Sequence, residues 1–231
     1  MGLRLDRSTV WLFDLDNTLH DAGAQVFGDL KQAMRAYIRQ ALAVDADEAA
    51  RLNLHYWQRY GATLLGLVRH HGVDAGHFLL HTHRLPGLEQ RVTGHRHDLA
   101  MLRRLAGRKY ILTNAPRAYA LRVLDALGIT RWFDGVLAIE DMAWFGHLRP
   151  KPDARMLRCM ARRLGTRPQS CVLVEDTLVH QKAARKVGMG TVWMQRYARR
   201  DPGAAASAPR WSMQPAYVDR RVRQLGQLVR R

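Results

Sequence analysis

Apolar and polar positions along the chain fall into blocks with different periods. Thr9 to Phe13 is a short run of β-branched, aliphatic and aromatic residues, the pattern of a buried strand, and it stops abruptly at Asp14. Beyond residue 20 the period turns helical, with Leu30, Met34, Tyr37, Ile38, Ala41 and Leu42 at helical spacing. Asp45 and Glu48 predict a capped second helix running through Leu52, Tyr56 and Trp57 and closed by Gly61. Shorter helices are predicted at 63–71 and 74–84, the latter ending near Pro86. No segment of 21–95 has the pattern of a buried strand, so those residues are expected to form a helical insert.

From Asp98 the pattern changes to helix alternating with strand. A helix to Ala106 precedes a strand at 110–112 that ends in Thr113 and Asn114. A helix at 117–127 stops at Gly128, a strand is expected at 136–138, and Pro152 is expected to open a helix reaching Gly165. The strand at 171–174 ends in Glu175 and Asp176, and the helix after it stops at Gly188 before a strand at 191–194. Residues 199–210 read as a loop rich in Pro, Ala, Ser and Gly, 216–218 as an edge strand, and Val222, Leu225, Leu228 and Val229 as one face of a closing helix. Polar residues at three successive strand ends predict an α/β fold with a doubly wound, Rossmann-like parallel sheet. The expected organisation is a core of residues 1–20 and 96–231 with a helical cap domain at 21–95.

Composition narrows this picture. A chain of 231 residues with 47% hydrophobic content is long enough to bury a sizeable core. It has no stretch of roughly 20 apolar residues, so no membrane partner is expected. Arg4, Asp6 and Arg7 interrupt the N-terminus, which therefore does not read as a secretory signal. Cys159 and Cys171 form no disulfide framework or zinc pattern, and a reducing, cytoplasmic setting is the expectation. A net charge of +17 raises the question of nucleic acid. The basic residues are spread over many segments, however, and only five of the 37 are Lys, which fits an arginine-biased composition and a surface that steers anions.

The candidate chemistry starts at Asp14 and Asp16. Two carboxylates at a strand end need partners to offset their desolvation, and the mouth of a parallel sheet is where ligands bind. One could attack a phosphorus while the other handles a proton; taken alone, the pair also fits an ordinary Asx turn. Thr113 and Asn114 alone fit a turn, Lys151 a solvated loop residue, and Glu175 with Asp176 the capping of a helix. His81, His83, His95 and His97 show no zinc-type spacing.

In order along the chain, FDLDNTL (13–19), LTN (112–114), RPKP (149–152) and VEDT (174–177) together resemble the four motifs of the haloacid dehalogenase-like hydrolases. The resemblance covers nearly the whole chain. YGATLLGL (60–67), HRLP (83–86) and LGITRWFDGVLAIED (127–141) are similar to segments of the pyrimidine 5′-nucleotidase branch. That resemblance implies a Mg²⁺-dependent phosphomonoesterase working through an aspartyl phosphate on a small substrate such as a nucleoside monophosphate. It implies Asp14 as nucleophile and Asp16 as acid and base, with Thr113, Asn114 and Lys151 gripping the phosphoryl group. It also implies metal binding by Asp14, the backbone carbonyl of Asp16 and Asp176, with Glu175 acting through water or as an orienting group. Gly61, Ala62 and Gly66 are expected to admit a planar ring, with Tyr60 or Trp57 available for stacking. The alternatives are a broad, sugar-phosphate or vitamin-phosphate phosphatase and, from a different class, a basic nucleic-acid or regulatory binding protein without turnover. The last motif departs from the branch pattern DDSxRNLxxAK: EDTLVHQKAAR puts Val179 and His180 where Arg and Asn are common. His20 stands where an aromatic, often Tyr, is usual. The His180 imidazole is expected either to bond a site carboxylate or to lie free on the surface.

Overall fold

The computed structural model of the chain describes residues 6–144, 146–197 and 213–229, and the loop expected at 199–210 lies outside them. In chain order the elements begin with β1 (Val10–Phe13) and the helices α1 (Gly23–Leu42), α2 (Ala46–Tyr60), α3 (Thr63–His71), α4 (Ala75–Thr82), α5 (Leu88–Arg91) and α6 (Arg96–Leu99). β2 (Arg108–Leu112), α7 (Arg117–Leu127), β3 (Gly135–Leu137) and a small ribbon of β4 (Ala143–Trp144) with β5 (His147–Leu148) follow. The rest is α8 (Ala154–Arg163), β6 (Cys171–Glu175), α9 (Leu178–Lys186), β7 (Gly190–Met194), β8 (Arg220–Val222) and α10 (Gly226–Val229).

Six strands form one sheet in the order β3-β2-β1-β6-β7-β8, every neighbouring pair parallel. The side-chain period of two sends alternate residues of β1 into two separate cores. Trp11 and Phe13 pack with Ile111, Val174 and Met194 against Tyr119, Val123 and Leu124 of α7. Val10 and Leu12 pack with Leu112 and Leu173 against Met156, Leu157 and Met160 of α8 and Ala184 of α9. Both faces of the central strands are therefore covered, which is why they read as continuous apolar runs. Because the strands are parallel, the polar residues that follow β1, β2 and β6 all emerge at one edge.

The helical segment between β1 and β2 builds a third core from Ile38, Leu52, Tyr56, Leu67 and Phe78, with Ile139 reaching in from beyond β3. Asp45 caps α2, accepting from the Glu48 amide at 2.8 Å, and Gly61 closes it at φ +77°. The two chain segments joining this lobe to the sheet are paired, the Asp21 amide donating to the Thr93 carbonyl at 2.9 Å. Arg91 pairs with Asp29, and Arg122 of α7 donates to Glu89 and to the Leu85 carbonyl.

Several boundaries differ from expectation. The edge strand lies at 220–222 instead of 216–218, and the closing helix shrinks to 226–229, although Val222, Leu225 and Leu228 are buried as their spacing predicts. The expected helix from Asp98 is a single α-turn continued as a 3₁₀ segment. Pro152 precedes α8 rather than opening it, because Asp153 takes the capping position and accepts from the Arg155 and Met156 amides. Gly66 is closed to a ligand ring: a β-carbon there would stand 2.1 Å from Tyr56 Cγ, so this glycine lets α2 and α3 approach each other. Trp57 is largely exposed, and the Tyr60 hydroxyl is engaged by His70 at 2.6 Å.

Candidate active site

The backbone first brings the groups together. The Asp14 amide continues the ladder one residue past β1, donating to the Val174 carbonyl at 2.9 Å, and the Thr113 amide does the same to Leu137 at 3.0 Å. Asn17 then turns the chain at φ +57°, a left-handed position that asparagine tolerates, while its side-chain oxygen accepts from the Ala22 amide at 3.3 Å. Asp14, Asp16, Thr113, Glu175 and Asp176 thus all begin at one edge of the sheet.

Lys151 reaches that edge from the loop between β5 and α8. Its side chain is buried, and its ammonium lies 2.6 Å from Asp14 Oδ1 and 2.7 Å from Glu175 Oε2. Asn114 holds this loop: its amide nitrogen donates to the Lys151 carbonyl at 3.0 Å and its oxygen accepts from the Lys151 amide at 2.9 Å. The Asn114 side chain is therefore spent on placing Lys151, leaving its backbone as the part available to a ligand. Thr113 Oγ1 accepts from the Ala115 amide at 3.0 Å, which leaves its hydroxyl proton free to donate. Thr18 Oγ1 donates to Asp14 Oδ2 at 3.2 Å.

The electrostatics are those of crowded carboxylates. Burial and then the neighbouring Glu175 push Asp14 up to about 6, although Lys151 pulls it back. Burial also works to raise Glu175, but the charges of Lys151 and His180 outweigh it and hold this carboxyl low. Burial opposes the charge on Lys151 as well, yet Asp14 and Glu175 prevail and keep it firmly protonated. Asp176 is driven well above the usual carboxylate range by burial, Glu175 and Asp14, and no cationic side chain pairs with it among the described residues. His180, the third residue of α9, places Nδ1 3.1 Å from Glu175 Oε2.

Oxygens of Asp14, Glu175 and Asp176 lie within 4.8 Å of one another. Three carboxylates share one ammonium there, and hard oxygen donors with residual negative charge are what Mg²⁺ selects. The donor set fits such an ion. The Asp16 carboxylate stands outside this group of three and faces different partners. Its Oδ1 accepts from the Tyr119 hydroxyl at 2.8 Å and lies 2.8 Å from His20 Nε2. Burial would raise Asp16, but the His20 hydrogen bond and charge and the Tyr119 bond outweigh it and hold the carboxyl low. Burial and the adjacent Asp16 push the Tyr119 phenol far up, so it remains a donor at any working pH.

The sequence pattern misses Tyr119, the third residue of α7, because nothing local distinguishes it from a core aromatic. It also misses Gln181, whose buried amide donates to the Glu175 carbonyl at 2.9 Å and the Val192 carbonyl at 2.6 Å, tying the end of β6 to β7. A polar residue in the apolar stripe of α9 was the available signal.

The haloacid dehalogenase-like hydrolase profile matches residues 10–188, from the first residue of β1 to the end of α9 and its stop. The chain belongs to this family. It is 26% identical over 193 residues to phosphate metabolism protein 8 of Saccharomyces cerevisiae, covering 79% of this chain and 60% of that protein. It is 36% identical over 80 residues to the fructose-1-phosphate phosphatase YqaB of Escherichia coli, covering 35% of this chain and 40% of that protein. The chain thus spans less than two thirds of the length of either relative. A solved haloacid dehalogenase-like phosphatase from Thermococcus onnurineus superposes with a TM-score of 0.61 at 21% identity, covering 95% of each chain, and so has the same fold. No helix among the described residues of this hydrolase is long and apolar enough to cross a membrane.

Proposed function

We propose that this hydrolase is a Mg²⁺-dependent phosphomonoesterase that works through an aspartyl phosphate. The observation that carries the reading is a division of labour between two aspartates. Asp14 lies among carboxylates and Lys151, while Asp16 stands two residues away with one oxygen occupied by donors. Cleaving a phosphoester needs a nucleophile and a separate proton carrier, whereas displacing a halide needs no acid.

Asp14 attacks the phosphorus in line with the departing oxygen, and the Asp14–phosphorus bond forms as the ester P–O bond breaks. Asp16, ionised in the free protein, takes up a proton as the negatively charged phosphate arrives beside it and gives that proton to the leaving oxygen. It then takes one from the water that attacks the aspartyl phosphate, so that phosphate departs and Asp14 is restored. The Thr113 hydroxyl and Asn114 backbone hold the phosphoryl oxygens, and Lys151 balances the charge of Asp14 and phosphate. Asp14, the Asp16 carbonyl and Asp176 are the residues to hold Mg²⁺, with Glu175 orienting them or binding through water. When bound, the ion offsets the repulsion between carboxylate and phosphate, which amounts to several kcal/mol per charge pair at an effective dielectric near ~20.

The cap, residues 21–95, meets the leaving group. A β-carbon on Gly61 would come within 3.3 Å of Pro152, so the α2–α3 turn lies against the loop that carries Lys151. Specificity then falls to Tyr60, Gly61 and Ala62 and their neighbours. Together with the YGATLLGL segment this favours a pyrimidine nucleoside 5′-monophosphate. With Gly66 filled by Tyr56, the ring has to enter beside Gly61 and Ala62. A sugar phosphate is the second reading, supported by the likeness to the E. coli fructose-1-phosphate phosphatase.

Phosphate release with and without EDTA, over uridine, cytidine and adenosine 5′-monophosphates and fructose 1-phosphate, tests both levels. The expected result is Mg²⁺-dependent turnover with kcat/KM at least about tenfold higher for the pyrimidine nucleotides, roughly 1.4 kcal/mol. A preference for the sugar phosphate transfers the assignment to the second reading, and turnover of none of them removes the phosphatase reading.

A further inference from the structure

A carboxylate at the mouth of a site rotates easily about its last bond, because that torsion has broad, shallow wells. Asp16 is partly exposed and forms no ion pair with any Lys or Arg among the described residues. Two groups hold it, and both act on the same oxygen: the Tyr119 hydroxyl at 2.8 Å and His20 Nε2 at 2.8 Å meet at Oδ1. Among the described residues nothing occupies Oδ2.

The two groups arrive from different directions. His20 follows Asp16 by four residues, and its ring is completely buried. Its other nitrogen, Nδ1, is buried with no hydrogen-bond partner, an arrangement that costs free energy and gives nothing back to packing that an apolar ring would not give. Tyr119 comes from α7, a helix fixed at its start by Arg117, which donates from its amide to Glu140 and from its side chain to the Val136 carbonyl. Farther along α7, Arg122 bonds Glu89 and the Leu85 carbonyl. The Tyr119 ring also meets His83 of the cap edge-on, with centroids 5.8 Å apart.

We infer that His20 and Tyr119 are a pair of positioning residues that clamp Oδ1 of Asp16, so that Oδ2 is the oxygen presented to the leaving group and then to water. The inference rests on the reading of Asp16 as acid and base, and it adds the residues that aim it. With two donors on Oδ1, a transferable proton is carried by Oδ2. Without them the carboxyl samples orientations in which the proton points away from the ester oxygen.

Leaving-group dependence separates aim from structural support. An alkoxide departs only with protonation, whereas p-nitrophenolate departs with little help. The experiment compares kcat/KM for a nucleoside 5′-monophosphate and for p-nitrophenyl phosphate in the Mg²⁺-loaded enzyme. Tyr119→Phe keeps the ring, and His20→Phe keeps a buried ring without the donor. Each is expected to lower the nucleotide value by about 10- to 100-fold and the nitrophenyl value by less than about threefold, a share of the 10²- to 10⁴-fold range of general acid catalysis. His20→Gln, which carries an N–H at similar reach, is expected to recover most of the lost nucleotide activity. Equal losses on both esters in Tyr119→Phe and His20→Phe, or no loss in either, overturn the clamp. Asp16→Asn is the reference arm, read as the single-turnover burst of leaving group so that its role as base in the second step does not enter: if both bursts slow equally, Asp16 is not the acid, and the underlying reading fails before the clamp does.

Discussion

Asp14 and Asp16 leave the same strand end two residues apart, yet they stand in opposite surroundings. Asp14 sits in a crowd of like charge, with Glu175 and Asp176 within 4.8 Å and the Lys151 ammonium as the nearest relief. Asp16 sits among hydrogen-bond donors, His20 and Tyr119, although its charge still reaches Asp14. The same side chain is therefore pushed up to about 6 at one position and held low at the other. Neighbours decide what an aspartate can do, since burial acts on both and the sign differs only through what each one faces.

The largest expected effect breaks the Asp14 side. Asp14→Asn is expected to reduce kcat by at least about 10⁴-fold on every phosphoester, because an amide is a poor nucleophile. Near-normal turnover in a steady-state assay would eliminate the covalent route. Lys151→Met comes next. It leaves Asp14 and Glu175 buried without their shared cation, and such a loss typically costs about 3–5 kcal/mol of stability in addition to activity. Urea unfolding without metal measures it, and a change below about 1 kcal/mol would mean that the carboxylates neutralise themselves by taking up protons.

A metal titration sharpens the contrast between the two carboxylates. Saturating Mg²⁺ is expected to raise Tm of the natural protein by about 5–10 °C, the shift for roughly 2–3 kcal/mol of linkage in a chain of this size. Asp176→Asn should lose most of that rise, while Asp16→Asn, which keeps its backbone carbonyl, should retain it. Equal loss in both variants would place the Asp16 carboxylate among the ligands.

The smallest effect lies on the Asp16 side, at His83. Burial pushes this imidazole down to about 4, against the pull of the Asp16 charge. A folded-state value below the unfolded one means that the fold prefers the neutral ring. Its contribution to stability is therefore present above about pH 6.5 and is lost as pH falls towards 4. His83→Gln should flatten this part of the Tm-against-pH curve, and an unchanged slope would show that the acid loss comes from other groups.

Much of this architecture is legible in the chain. The strands at β1, β6 and β7 and the apolar end of β2 declare themselves because they are buried, and Gly61, Gly128 and Gly188 end their helices where the spacing puts them. The C-terminal edge is less legible: among the described residues β8 pairs on one side only, and Arg220 and Arg221 carry no apolar signal to mark it. Gly66 misleads in isolation, because a glycine that admits a ligand and a glycine that admits Tyr56 look alike until the second helix is in place.

The order of Asp14, Thr113, Lys151 and Glu175–Asp176, each next to a strand or a helix start, determines that these groups share one edge, since parallel strands must all end on the same side. That much belongs to the sequence, because strand direction and period follow from local pattern. Which aspartate faces which neighbours does not. Tyr119 meets Asp16 across 103 positions of chain, and Lys151 meets Asp14 across 137. Such meetings depend on how α7 and the Lys151 loop pack over the sheet edge. Packing is a property of many side chains at once, and only the tertiary structure decides it.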